Sequence, residues 1–386
     1  MRYLSSWFDP ESLKDIIAIY IAVLLVGALF GMTMPLMALE LEHMGASKLI
    51  NGLSASVGVS TMLLMAPMTP WLLHKFGTRN LMGMGCVMGS VTLLLFPIFP
   101  DVWAWFPLRF LFGLCLSALF TCSETWLNLT TPKEIRGVML GIYGTMLSLG
   151  FALGPWLLTT VGASGWPAFA VAALLTFAAG SVILFLARNR MVEKTPQHIR
   201  ISMLVRNNPT PFLAAFVFGG IETGIFNLLP IHGLLMDMQP QQAALLLVWV
   251  GVGNLLLQLP IGWLADRMNQ RLLLGICALI GAIGGWGLAM MNMTELPAKI
   301  LLLVWGGAVV GFYTVGLSML VKRGTETQIP SMNAGFLMMY GLGAVSLPSV
   351  TGELMDRLDV WGLPFAIIVL CGGYFVLLVI RAQRPS

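Results

Sequence analysis

Apolar residues run along the chain in long continuous stretches, without strict alternation. Short polar segments that hold most of the charge separate them. A bilayer core about 30 Å thick takes about 20 apolar residues per helix. Only helices and closed barrels satisfy their backbone in lipid, and runs without a period of two read as helices. The pattern predicts twelve spans, at 14–39, 49–73, 79–99, 104–129, 136–162, 166–188, 210–236, 241–265, 271–291, 298–321, 331–355 and 361–381. The segments between them are short. The longest, 189–209, is basic and proline-containing and falls mid-chain. It is expected to be a cytoplasmic linker between an N-terminal bundle (1–188) and a C-terminal bundle (210–386).

Composition sharpens the class. The chain is 58% hydrophobic and only 10% charged, against roughly 25% charged in soluble domains. The expected fold is an all-α polytopic membrane protein. With both termini placed inside, all of the 21 Lys and Arg residues except Lys48, Arg109, Lys299 and Arg357 fall in inner segments. This is the inside-positive bias of a membrane chain, and one missed helix would scramble it. The net charge of +4 is therefore a topology signal and not evidence for nucleic acid. The N-terminus shows no short apolar region followed by a small-residue cleavage site, so no signal peptide is expected.

The five cysteines, Cys86, Cys115, Cys122, Cys277 and Cys371, fall inside spans without metal-ligand or disulfide spacing. They read as small packing residues. No phosphate loop, paired-histidine zinc motif or nucleophile elbow occurs. The sequence thus predicts no enzyme, no cofactor and no metal.

The chain also repeats itself once. PWLLHKFGTR (70–79) matches GWLADRMNQR (262–271). Pro35 matches Pro230, and GFALGPW (150–156) matches GAVSLPS (343–349). Each pair is separated by about half the chain. Duplicated six-helix halves are typical of secondary transporters, whose site lies between the repeats near the midplane.

At these residues the chain resembles the major facilitator superfamily over essentially its whole length. The family signature after the second helix of a half is Gly-x-x-x-Asp-Arg-x-Gly-x-Arg. The second copy matches at Gly262, Asp266, Arg267 and Arg271 and departs at Asn269. In the first copy Pro70, His74 and Lys75 replace Gly, Asp and Arg, while Gly77 and Arg79 fit. Arg109 and Gly113 resemble the family's fourth-helix motif. Gly150, Gly154 and Pro155 resemble the antiporter-type fifth-helix motif, without its trailing glycine pair. The mixture is also similar to a group of poorly characterised bacterial permeases. The resemblance implies a monomer in a bacterial inner membrane that moves a small organic solute by alternating access. Its partners are the solute, protons and the surrounding lipid. Proton-coupled efflux is the leading expectation, and proton-coupled uptake the alternative. A non-transporting sensor or assembly protein of the same fold is a further reading, which the retained charges Glu124, Glu222 and Asp266 oppose.

Each marked residue has two readings. Asp266 can cap a neighbouring helix and pair with Arg267 and Arg271 as an inner latch, or the segment can simply set topology. His74 is a special site or a tolerant one. Arg109 faces a cavity or partner, or snorkels to the outer headgroups. Glu222, mid-span, faces solute or bonds a neighbouring helix. Asn227, Asn128 and Gln258, like Asn254 and Asn333, line a site or bond across helices. Tyr143, Tyr313 and Tyr340 stack on an organic solute or fill space. Glu124 ends the apolar run of the fourth span. It is 15 residues from Arg109, about 22 Å along a helix, so the arginine does not explain it. Its readings are a proton carrier, a structural tie and a snorkelling side chain.

Overall fold

The computed structural model describes residues 10–131, 135–186, 188, 208–322 and 329–382 of the 386-residue chain. The proposed linker, 189–209, lies outside the described residues except for its last two. Twelve α-helices are found among the described residues: α1 (Pro10–His43), α2 (Lys48–Phe76), α3 (Thr78–Leu95), α4 (Val102–Thr130), α5 (Arg136–Val161), α6 (Gly165–Leu186), α7 (Pro209–Leu235), α8 (Pro240–Arg267), α9 (Gln270–Met290), α10 (Leu296–Val321), α11 (Ile329–Leu358) and α12 (Gly362–Ala382). A 3₁₀ turn, Asp359–Trp361, joins the last two.

Ten stretches are long and apolar enough to cross a membrane, and the last, Met332–Arg381, runs through both α11 and α12. Helix α3 is not among them. It has 18 residues, with Arg79 and Asn80 in its first turn. The expected third span, 79–99, overruns it because the chain leaves the helix before Pro97, and proline cannot donate to a continuing helix.

The fold divides into two compact units. One is Met1–Leu36 with Val57–Pro196; the other is Met37–Ser56 with Gln197–Ser386. The sequence reading assigns α1 and α2 wholly to the first half. In the structure the ends flanking their connecting turn group with the second unit.

In the first unit α1 and α5 meet backbone to backbone. A Cβ on Gly27 would lie 2.6 Å from the Leu147 carbonyl oxygen, and one on Gly31 2.6 Å from that of Phe151. From the other side, a Cβ on Gly150 would sit 2.5 Å from the Leu24 carbonyl, and one on Gly154 would meet Ala28 and Met32 backbone atoms. Lipid supplies no hydrophobic drive between helices, so such small-residue contacts carry the packing. Helix α3 packs on α4 and α6. At that junction Phe96 stacks on Phe169 at 5.7 Å between ring centres, and Trp105 Nε1–H donates to the Phe99 carbonyl at 2.9 Å. Helix α4 starts under a cap, with the Ala104 N–H donating to Asp101 Oδ1 at 2.8 Å.

In the second unit α7 packs with α11, α8 with α10, and α9 with α12. Phe212, Ala215, Leu320, Met332 and Phe336 form a buried core between α7, α10 and α11. The α7–α11 approach is again set by glycine, Gly219 against the Tyr340 carbonyl and Gly343 against that of Phe216.

The α1–α5 contact yields a paired prediction. Gly154→Val should lower stability by about 1–3 kcal/mol, the range for overpacking. Gly144→Val, on the same helix where nothing lies within 4 Å of the added Cβ, should change it little. Thermal unfolding of the two purified variants, read by loss of monodisperse protein, checks the contrast.

Candidate functional site

The second unit holds a polar group inside an apolar bundle. Helix α7 carries Glu222 and α11 carries Tyr340, and the glycine contacts bring the two helices close. The Tyr340 hydroxyl donates to Glu222 Oε2 at 2.6 Å. Aromatic rings surround the pair. Phe218 lies 5.5 Å from Tyr313 and 5.9 Å from Tyr340 between ring centres, and Tyr313 lies 5.3 Å from Phe336. Beside them is a cavity of about 20 Å³ lined by Glu222 and Asn254 together with Phe218, Phe226, Trp305 and other apolar residues. That is room for about one water molecule. Asn254 Oδ1 is buried without a hydrogen-bond partner among the described residues. Glu222, Tyr313 and Tyr340 are thus brought together as one group.

Other expected site residues are placed elsewhere. Asn227 is fully buried, and its Nδ2–H donates to the Thr223 carbonyl of its own helix at 2.8 Å. It does not line the cavity. Gln258 sits partly buried on α8, one turn beyond Asn254. Tyr143 belongs to the first unit, where its hydroxyl shares a 2.9 Å bond with Ser123 Oγ. The side chain of Asn128 lies outside those described. Glu124 is exposed on α4. His232 is buried and spans from α7 to the Leu288 carbonyl of α9 at 3.2 Å, a structural tie.

Arg109 is buried, 3% exposed, which excludes snorkelling as its position here. Its Nη2–H donates to Met34 Sδ at 3.4 Å, and its stem covers Gly58 of α2. One turn on, Gly113 packs on the Gly58 carbonyl. The fourth-helix motif therefore ties α1, α2 and α4 together inside the first unit.

The loop motif also differs from expectation. Asp266 pairs with Lys322, Oδ1 to Nζ at 2.9 Å, and not with the nearby arginines. The same ammonium donates to the Ala265 carbonyl at 3.1 Å, so it answers a free carbonyl at the end of α8. The arginines are occupied differently. Arg267 stacks 4.1 Å over the Trp263 ring, and Arg271 is exposed. Asn269, where the family motif has glycine, caps α9 by accepting the Arg271 N–H at 2.9 Å. Gln270 Nε2–H donates to Ser318 Oγ at 2.9 Å and adds a second link from this loop to α10. Gly262 is not at a close contact; its Cβ would meet only Thr314 at 3.8 Å. In the first copy His74 and Lys75 are exposed, Lys75 lies 5.1 Å from the Trp71 ring centre, and Arg79 is partly buried. Pro155 is buried within α5, beside the Gly150 and Gly154 contact already described.

Sequence reasoning missed Lys322 as the partner of Asp266. It lies 56 residues from Asp266, in a basic pair that read as topology alone.

The family model described as Major Facilitator Superfamily matches residues 19–322 and 212–386. An uncharacterized MFS-type transporter of Bacillus subtilis, YfkF, is 27% identical over 379 residues, covering 95% of each chain. Among solved structures, the nucleoside transporter NupG aligns over 98% of this chain and 100% of its own, with TM-score 0.79 and 14% identity. A D-xylose–proton symporter aligns over 93% and 97%, with TM-score 0.73 and 15% identity.

The Asp266–Lys322 pair is solvent-exposed, so it is worth at most about 1 kcal/mol to the fold. Asp266→Asn and Lys322→Gln should each leave thermal stability nearly unchanged yet lower solute flux several-fold, and the double variant should lose no more than either. Additive losses in reconstituted vesicles would show that the two act separately.

Proposed function

We propose that this chain, which belongs to the major facilitator superfamily, is a proton-coupled transporter whose coupling site is Glu222. That it is a secondary transporter and not an enzyme follows from the family. The observation that carries the coupling site is the 2.6 Å bond from Tyr340 to Glu222 beside a cavity in an otherwise apolar bundle. An isolated ionised carboxylate in such a place is costly. A carboxyl held by a neutral donor can instead take up a proton and keep its hydrogen bond.

The solute is a small organic molecule, neutral or cationic. The rings of Phe218, Tyr313 and Tyr340 offer apolar and π faces, and among the described residues Glu222 is the one acidic group lining the cavity. The direction is export in exchange for protons across a bacterial inner membrane, with both termini cytoplasmic, on the fifth-helix match at Gly150, Gly154 and Pro155. Uptake with protons is a second reading, favoured by the similarity to the D-xylose–proton symporter. Arg109 supports the first unit as a buried cation. Glu124, exposed on α4, is the other proton-coupling candidate.

The test uses vesicles with an imposed pH gradient. Glu222→Gln should abolish gradient-driven flux while solute exchange without a gradient persists, and Tyr340→Phe should lower the driven flux without abolishing it. Glu124→Gln is measured beside them. Driven flux at the wild-type rate and pH profile in Glu222→Gln would sink the assignment, and loss only in Glu124→Gln would move the coupling site to α4.

A further inference from the structure

At the end of α1 farthest from its start, the chain turns through Gly45, at φ 78°, and enters α2. Helix α2 lacks an acidic residue in its first turn, yet its first amides are all answered. The Ile50 N–H donates to Ser47 Oγ at 3.2 Å. The Lys48 and Leu49 N–H groups donate to the two carboxylate oxygens of Asp356, at 2.9 and 2.8 Å. Asp356 lies on α11, about 300 residues away in sequence. A helix start normally finds its partners locally or in water, so this one depends on a distant helix.

The backbones touch along the same line. Gly52 packs on the Pro348 carbonyl, and Gly352 packs on the Lys48 carbonyl. Pro348, Gly352 and Asp356 are spaced by four and so form one stripe on α11. Lys48 and Gly52 form the facing stripe on α2. Two reciprocal glycines remove every side chain from the contact, and the carboxylate closes its end. It meets the positive end of the α2 dipole through hydrogen bonds strengthened by its charge. Lys48 itself turns away, its Nζ 3.4 Å from Glu42 Oε1. All these residues belong to the second compact unit, which is why Met37–Ser56 groups there.

We propose that Asp356 is a gating residue. Its carboxylate fastens the start of α2 to α11 when the membrane face opposite the start of α1 is shut, and the contact breaks each time that face opens. The bonds are exposed and few, so water can replace them; the glycine contact alone is dispersion and carries no charge. The contact is strong enough to hold one state and weak enough to be released.

The test is thiol accessibility. Ala55 is fully buried one turn beyond Gly52. Ala55→Cys is placed in a full-length chain whose five cysteines, all buried, are replaced by alanine, in lipid nanodiscs, with a charged maleimide as probe. Asp356→Asn keeps the shape but offers one acceptor oxygen and no charge. It should raise the labelling rate about tenfold or more, the scale of one hydrogen bond to a charged group. Asp356→Glu should stay nearer the parent rate. Gly352→Ala places a methyl against the Lys48 carbonyl and should raise the rate without touching the charge, so it decides the question where Asp356→Asn does not fold. Parent-like labelling in every folded variant of the pair Asp356→Asn and Gly352→Ala would overturn the proposal.

Discussion

Inside lipid each backbone N–H and C=O has to find its partner within its own helix, because no water is present to take it. The rest of this structure depends on that constraint. It fixes the twelve helices, and it removes the hydrophobic drive that would pull them together, since lipid tails are as apolar as leucine. Helices then hold where their backbones come close enough for dispersion to act, and small residues, here glycine, allow that approach. Gly27 and Gly31 against Gly150 and Gly154 join α1 to α5, and Gly219 and Gly343 join α7 to α11. The second contact also sets the chemistry. Without it Tyr340 would not reach Glu222 from the neighbouring helix.

How much of this was legible follows from the same constraint. Long apolar runs report helices directly, so the number and order of elements follow from the sequence. The halved repeat reports the family. Pairings are another matter. Glu222 and Tyr340 stand 118 residues apart, and nothing local to either names the other. Asp266 was read with Arg267 and Arg271 because they are its neighbours in sequence. On a helix end, though, adjacent residues point different ways, and Lys322 from another helix arrives at the right side. The fifth-helix glycines were read as a mark of transport direction. In the folded chain Gly150 and Gly154 also pack against the backbone of α1. Asn269 was a departure from the motif, and its side chain became the cap of the next helix.

The interior polar residues also sort by what satisfies them. Asn227 bonds back to the Thr223 carbonyl of its own helix. His232 reaches a backbone carbonyl that cannot leave. Arg109 sits over Gly58 with a methionine sulfur as one of its contacts, a position that the folded first unit keeps. None of these partners can exchange a proton in ordinary chemistry. His232 and Arg109 link different helices, and their polarity is the cost of specifying register in a bundle otherwise uniform in its apolar surface.

Glu222 differs in the nature of its partner. A lysine or arginine beside a carboxylate favours the carboxylate's charged form. A phenol makes no such demand. Its O–H can donate to an ionised carboxylate or to the carbonyl oxygen of a carboxylic acid, so the bond from Tyr340 survives a change of protonation. The neighbouring Asn254 oxygen, buried and without a hydrogen-bond partner among the described residues, belongs to a residue lining the same cavity. On the proposed reading of Glu222, the site keeps its shape in either protonation state of the carboxyl. A fixed ion pair cannot combine those two properties in an apolar bundle, and a transporter that loads and releases protons needs both.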